Sequence, residues 1–302
     1  MSKIIFCGLL LGPEKEDNWL CQLNHSNISI IKKKYTFEQL EERYKYFRLD
    51  SRWPFWFDGE DGLIVCYEIN YSVEVKKIED DKLDILYEEI FNNCKKLIYF
   101  INCSFGTVFG LNFGIFYIDG VHESDFSDVV LSPYNPSILE DYSQIEATDD
   151  EKVKLLNNIE GNLSKSKELE TIIETYNINL SISNMKIAFL NIVTCLEALL
   201  VSSNSELTYR ISRNVAVLLS NNKEQGKKLF NKMKELYAIR SKLVHEGIWN
   251  PEKYYKKFDN EPFEDLKMIF NSVFRKYVEL GLSKKELVNK LDESGYGELI
   301  IN

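Results

Sequence analysis

An arginine and a histidine near the end of a helical pattern are the residue pair of this chain best suited to chemistry. Arg240 and His245 lie in the segment Tyr237-Ala-Ile-Arg-Ser-Lys-Leu-Val-His-Glu-Gly247. An imidazole, with an ordinary pKa of about 6.5, takes up or releases a proton near neutral pH. A guanidinium keeps its charge and can meet two oxygens of one phosphate. Together the two residue types suit proton transfer beside a phosphate that gathers negative charge.

Helical periodicity places Arg240 among apolar residues. Apolar side chains recur at positions 229, 233, 236 and 243, and position 240 falls on the same stripe. A guanidinium in such a place is costly unless it meets a partner. At about 100° per residue, five steps separate Arg240 from His245 by about 140° on an ideal helix. The two side chains can therefore act together only if the helix frays at Gly247 or if a second subunit completes the site.

The same segment resembles the RxxxxH motif of HEPN domains. The preceding helices are similar to the ApeA-like HEPN branch through Leu196-Glu197-Ala-Leu-Leu200, and through Glu206-Leu-Thr-Tyr-Arg210 with Arg213 and Ala216-Val-Leu-Leu219. The resemblance covers roughly residues 180–280, and we recognise nothing in residues 1–145. It implies a metal-independent ribonuclease without cofactors, working as a homodimer in which the motifs of two subunits face each other. Many members of the family serve phage defence or toxin–antitoxin systems.

The resemblance assigns catalysis to Arg240 and His245. Cleavage of RNA by the neighbouring 2′-hydroxyl needs one proton removed there and another delivered to the 5′ leaving oxygen, which suits His245. Arg240 would meet the charged phosphorane. Ser241 stands where the family often has Asn, Asp or His, and we take it as a supporting residue. Gly247 stands where one variant of the motif has a tyrosine that a nucleotidyltransferase antitoxin modifies, so we do not expect that partner.

Glu197 and Arg213 are further candidate supporting residues with two interpretations. Each lies beside apolar positions on the flank of its helix. In the first interpretation Glu197 lies near the cleft and orients Arg240 or His245. In the second, Glu197 and Arg213 form a structural ion pair across adjacent helices.

Charge is distributed unevenly along the chain. The net charge is −10, which argues against a general nucleic-acid coat, but residues 1–180 carry −14 and residues 181–302 carry +4. Residues 223–257 hold ten basic and four acidic side chains. This segment would attract phosphates, with Lys234 and Lys242 as candidate substrate contacts; the alternative is a solvated lysine face. The acidic N-terminal part is not expected to bind RNA directly.

The N-terminal part, residues 1–147, is predicted to be an α+β domain. Strands are expected at residues 3–11 and 63–75, and a capping box of Thr36 and Gln39 begins a helix that reaches about Arg48. The aromatic run Arg52-Trp-Pro-Phe-Trp-Phe57 has two interpretations. It is a platform on which bases or a ligand stack, or it is a loop whose rings fill the hydrophobic core of its own domain. Residues 121–147 are expected to connect the two domains.

A stretch of 22 residues without charge, 97–118, has the length of a membrane helix. Its Phe, Tyr, Ile and Gly content favours a buried helix end followed by a core hairpin, so we expect no membrane association.

Six cysteines without a CxxC pair indicate reduced thiols in a cytoplasmic protein. Three histidines are too few for a multi-histidine metal site, and we expect no metal.

Residues 148–302 are predicted to form an all-α, HEPN-type helical bundle. Thr148 and Glu151 form a capping box, and apolar residues at steps of three and four run through residues 181–201. Three further helices are predicted. The first begins near Leu207, the second ends at Gly247, and the third spans Pro262 to about Leu280. Ser283 and Glu286 cap a short last helix. Short connections between such helices are typical of an antiparallel bundle.

The sequence thus favours a homodimeric, metal-independent endoribonuclease whose N-terminal domain is a sensor or regulator that binds a protein or a small-molecule trigger. Two alternatives remain: a non-catalytic HEPN module that binds RNA or a protein, and a subunit of a larger defence complex.

Overall fold

The computed structural model describes residues 2–11, 18–25, 27–43, 56–57, 63–75, 82–107, 109–127, 148–157, 167–182, 184–202 and 205–298. The described residues fall into two compact units. The N-terminal unit extends to Asn157 without Cys103–Gly106, and the helical unit contains Cys103–Gly106 together with the described residues from Lys167 onward. The expected succession of an α+β region and a helical region is confirmed.

The N-terminal unit is built on one antiparallel sheet. Its strands are β1 (Ser2–Leu11), β2 (Asn24–His25), β3 (Ile28–Tyr35), β4 (Trp56–Phe57), β5 (Ile64–Val75), β6 (Gly110–Ile118) and β7 (Val121–Ser127). Its helices are a 3-10 helix (Asn18–Gln22), α1 (Phe37–Arg43), α2 (Leu83–Phe105) and α3 (Asp149–Asn157). The strand order is β2-β3-β5-β1-β6-β7, with β4 also paired to β5.

Both faces of the sheet are covered by helices. On one face the ring of Phe6 meets Phe91 of α2 at 5.9 Å, and Tyr87 of α2 stacks on Phe116 at 4.3 Å. On the other face Leu40 of α1 packs with Leu9 and Cys66. Burial from both sides explains why the first six residues of β5 are all buried rather than alternating with exposed ones.

The uncharged stretch 97–118 divides as expected into a helix end and a hairpin. It contains the last residues of α2 and all of β6, which pairs with β7. No helix in the described part of the chain is both long enough and apolar enough to cross a membrane.

Several N-terminal expectations change in the structure. The capping box of Thr36 and Gln39 is present, with hydrogen bonds of 2.9 and 3.1 Å, but residues 44–50 lie outside the described part of the chain. Of the aromatic run, Trp56–Phe57 form β4, and the residues before them also lie outside it. Residues 121–127, expected in the connection, form β7, because they pair with the exposed edge of β6.

The boundary expected at residue 147 also differs. The helix that Thr148 and Glu151 begin, α3, belongs to the N-terminal unit because it packs against the 3-10 helix. There the Lys152 ammonium lies 5.0 Å from the centre of the Trp19 ring. The end of α2 belongs to the helical unit, where the Asn271 side chain donates a hydrogen bond to the Cys103 carbonyl at 2.8 Å.

The helical unit contains α4 (Lys167–Ser181), α5 (Met185–Leu200), α6 (Leu207–Leu219), α7 (Lys223–Glu246), α8 (Glu252–Phe258), α9 (Pro262–Leu280) and α10 (Lys284–Glu293). Their apolar stripes meet in one core. Its fully buried side chains include Phe189, Leu196, Ile211, Val215, Met233, Leu236, Leu266, Phe270 and Phe274.

Local capping sets the helix ends. The Ser283–Glu286 capping box is confirmed, and Asn222 caps α7 by accepting a hydrogen bond from the Gln225 amide at 2.9 Å. Residues 181–201 were predicted as one helix, but α4 ends at Ser181 and α5 begins after Asn184, whose side chain accepts from two amides of the new helix.

Candidate functional site

The α7 helix carries both residues of the motif and is regular to its end. It ends at Gly247, whose φ of 69° is the left-handed conformation that glycine adopts without strain, and whose N–H donates to the Lys242 carbonyl. His245 therefore lies in the last intact turn, and the helix does not fray before Gly247. Regular helix geometry leaves Arg240 and His245 about 140° apart around α7.

Arg240 meets a carboxylate of the neighbouring helix α5. Its Nη2 lies 3.6 Å from Glu197 Oε1, and both side chains are largely buried, with exposures of 23% and 19%. The guanidinium carbon lies 5.4 Å from the centre of the Tyr237 ring, one turn earlier on α7. The cost of placing a guanidinium on the apolar stripe is thus offset by a carboxylate and an aromatic ring.

Tyr237, one turn before Arg240 on α7, contacts the same carboxylate. Its hydroxyl donates a hydrogen bond of 2.7 Å to the same Oε1 of Glu197, and the residue is 4% exposed. Burial, followed by the hydrogen bond to Glu197, raises the pKa of Tyr237 to about 12. The hydroxyl therefore keeps its proton at physiological pH and holds the carboxylate that faces Arg240. We call Glu197, Tyr237 and Arg240 the arginine network.

His245 lies on the surface at the end of α7. It is exposed, and no side chain in the described ranges forms a hydrogen bond or an ion pair with it. Two apolar neighbours, Val244 and Ile248, are also exposed, by 48% and 49%. Trp249 turns back and packs edge-on against Phe189 of α5 at 5.1 Å. The imidazole is thus open to a ligand or to another protein chain.

Arg213 does not belong to the arginine network. It donates hydrogen bonds to the carbonyl groups of Leu291 (2.6 Å), Asp292 (3.1 Å) and Ser294 (2.8 Å) at the end of α10. The alternative of a Glu197–Arg213 ion pair is therefore wrong, because each residue is held by a different helix. In this position Arg213 satisfies carbonyl groups that a helix end leaves without partners.

The remaining predicted residues lie along α7. Ser241 is half-buried, whereas Lys234 and Lys242 are exposed and form no ion pair within the part of the chain that the structure describes. Helix spacing puts both lysines within about 60° of His245 around the axis, with Lys242 one turn before it. Exposed cations therefore share a face with the imidazole, while Arg240 points elsewhere.

The N-terminal unit contains a second polar cluster. Glu68 is fully buried and bridges Arg43 Nε at 2.7 Å, Lys33 Nζ at 2.9 Å and the Tyr35 hydroxyl at 2.8 Å. Burial alone would raise the pKa of Glu68, but the Arg43 guanidinium and the other donors outweigh it and hold the pKa below its ordinary range. Beside the cluster lies a cavity of about 730 Å³ whose described lining includes Tyr35, Arg43 and Tyr117.

The sequence analysis did not predict the role of Tyr237 in the arginine network. The signal was present, because Tyr237 precedes Arg240 by one turn and so shares its face of α7.

Among the described residues, no group of three or more His, Cys, Asp or Glu side chains could hold a metal ion. Comparison of the chain with protein-family models, curated proteins and solved structures finds no match.

Proposed function

We propose that this protein is a metal-independent endoribonuclease of the HEPN type that acts at a composite site formed by two copies of the chain. The observation that carries the proposal is the arginine network, in which Glu197 and Tyr237 hold Arg240, together with an exposed histidine in the last turn of the same helix. The resemblance of residues 180–280 to that family supports the same reading.

The proposed reaction uses two proton transfers. An imidazole removes the proton of the 2′-hydroxyl, whose oxygen attacks the adjacent phosphorus. The 5′ oxygen leaves with a proton from an imidazolium, so the products are a 2′,3′-cyclic phosphate and a 5′-hydroxyl end. Arg240 stabilises the negative charge on the phosphorane oxygens, as a planar, permanently charged donor can do.

A second copy would supply what one α7 helix lacks. Because Arg240 and His245 diverge by about 140°, one chain does not direct both side chains at one phosphate. Val244 and Ile248 expose apolar surface on either side of His245, which suits contact with another chain. In this proposal the N-terminal unit regulates the nuclease through a protein or a small molecule, and the 730 Å³ cavity is where a small molecule would bind. Phage defence or toxin-type growth arrest in the cytoplasm is the setting that the family resemblance suggests.

One observation favours the alternative of a non-catalytic module that binds RNA or a protein, alone or in a larger defence complex. Arg240 already has Glu197 as its partner within one chain, as a structural arginine would. RNA binding without cleavage would support this alternative.

Purified full-length protein incubated with total RNA and with tRNA in the presence of EDTA tests the proposal. We expect cleavage to persist with EDTA, to fall about 10²–10⁴-fold in His245→Ala and to fall about 10²–10³-fold in Arg240→Ala. Arg240→Lys should restore little, because an ammonium lacks the planar two-donor geometry. Lys285→Ala, at an exposed position of α10 away from the arginine network, is the control and should cleave like the wild type.

Circular dichroism and the solution mass accompany each variant, so that loss of fold or of the dimer is separated from loss of chemistry. Undiminished cleavage by folded His245→Ala protein, free of other nucleases, would contradict the assignment. A wild-type protein that stays monomeric at working concentrations would contradict the composite site.

A further inference from the structure

A groove of about 390 Å³ separates α7 from α8, next to the end of the motif helix. Ala238, Ile239 and Lys242 of α7 form one side, and Asn250, Lys253 and Lys256 form the other. Its volume is within the range of small ligand sites, about 300–1,000 Å³. The groove thus combines an apolar floor with an amide and three ammonium groups.

Two of its lysines are available to a ligand. Lys253 lies 3.0 Å from Glu235, which also binds Lys257 at 3.1 Å. Lys242 and Lys256, in contrast, form no ion pair or hydrogen bond in the ranges described. Glu252 is a second acidic residue of the lining, so the lining residues alone carry +1, and Lys257 adds further positive charge. The unpaired cations on both sides favour an anion between them.

The far wall of the groove is held in place from two directions. The lysine pairs of Glu235 attach α8 to α7; burial alone would raise the pKa of Glu235, but these lysines hold it below the ordinary value. The buried hydroxyl of Tyr254, on α8, donates to Asp265 of α9, which also binds Lys232 at 2.8 Å. The α8 helix that carries Lys253 and Lys256 is therefore held in place before any ligand binds, which lowers the entropic cost of binding.

Helical spacing places His245 one turn beyond Lys242, a lining residue of the groove. Lys242 precedes His245 by three residues, so the two side chains are neighbours on one face of α7 about 4.5 Å apart along the axis. A strand whose scissile phosphate lies at His245 would place neighbouring phosphates along Lys242 and Lys256.

We infer that this groove binds the phosphate backbone of single-stranded RNA beside the scissile bond, with Lys242 and Lys256 as the phosphate contacts. The inference rests on the proposed nuclease function, whose site it extends from α7 to α8. Asn250 adds a donor and an acceptor for a 2′-hydroxyl or a base edge.

The test measures binding of a fluorescent single-stranded 2′-O-methyl RNA, which lacks the attacking 2′-hydroxyl and stays intact, across a series of salt concentrations. Each phosphate contact contributes about 0.7 to the slope of log affinity against log salt. We expect Lys242→Gln and Lys256→Gln each to lower the slope by about 0.7, and the double variant by about 1.4. Glu252→Gln should bind more tightly, because it removes an acidic lining residue that pairs with no lysine in the described part of the chain.

Lys227→Gln is the matched control. Lys227 is an exposed, unpaired lysine on the same helix in the described structure, fifteen residues before Lys242 and therefore about 22 Å away along the axis. Its variant should bind like the wild type.

Cleavage of the unmodified RNA by the wild type is measured beside binding. If Lys242→Gln and Lys256→Gln bind with the wild-type slope, or weaken no more than Lys227→Gln, the groove is not the RNA site even where cleavage occurs. If the groove variants lose binding while the wild type cuts no RNA, the nuclease proposal fails and the groove remains an RNA site. If the wild type does not bind the 2′-O-methyl RNA, the inference is overturned.

Discussion

Removing one hydroxyl group from the arginine network tests whether Arg240 is held as the structure indicates. Tyr237→Phe keeps the buried ring and deletes only the donor of the 2.7 Å hydrogen bond to Glu197. A hydrogen bond to a charged group contributes about 1.5–3 kcal/mol to the free energy of unfolding. Glu197 is 19% exposed and retains Arg240 at 3.6 Å, so water and the guanidinium replace part of the loss. We therefore expect a destabilisation near the lower limit, about 1.5 kcal/mol.

Urea denaturation followed by far-ultraviolet circular dichroism measures this change in wild type, Tyr237→Phe, Glu197→Gln and the double variant. Because the two side chains share one hydrogen bond, the effects of the single variants should not add, and the coupling energy should be about 1 kcal/mol. Tyr255→Phe provides a matched control. The Tyr255 hydroxyl makes the same kind of bond to Glu261, at 2.8 Å, but on the exposed surface, where its loss should change stability by less than about 0.5 kcal/mol.

The reasoning is refuted if Tyr237→Phe is no less stable than Tyr255→Phe, or if the effects of Tyr237→Phe and Glu197→Gln are additive. Either result would mean that the Tyr237 hydroxyl does not hold Glu197 as the structure indicates.

Two further predictions concern the helices around the site. Arg213→Met should lower the free energy of unfolding by about 2 kcal/mol, because three carbonyl groups at the end of α10 lose their donor, while RNA cleavage per folded molecule stays unchanged. Thermal denaturation and the cleavage assay check this, and a large loss of cleavage without unfolding would contradict it. Glu235→Gln should lower the melting temperature at neutral pH. Because the folded-state pKa of Glu235 lies below its ordinary value of 4.5, the stabilisation is present above that value and is lost as the pH falls through the folded pKa. A difference in melting temperature between wild type and variant that persists at lower pH would refute this assignment.

Local features of the sequence determined most of the elements and several of their ends. The capping boxes at Thr36, Thr148 and Ser283 are present, and Gly247 ends α7. These signals depend on hydrogen bonds between residues three or four positions apart, so they can be recognised without the rest of the fold. The periodicity of α7 likewise indicated that Arg240 lies on a buried stripe and needs a partner.

The identity of that partner was decided by the tertiary structure. Glu197 had two cationic candidates, and packing of α5 against α7 gives it Arg240 and Tyr237, while α10 takes Arg213. The groove depends on α8, which has only seven residues and too short a pattern to be recognised. Periodicity shows which face of a helix is buried, whereas the neighbour on that face depends on how whole helices pack. Contacts between residues forty positions apart are therefore set by the summed packing of the core rather than by any local pattern.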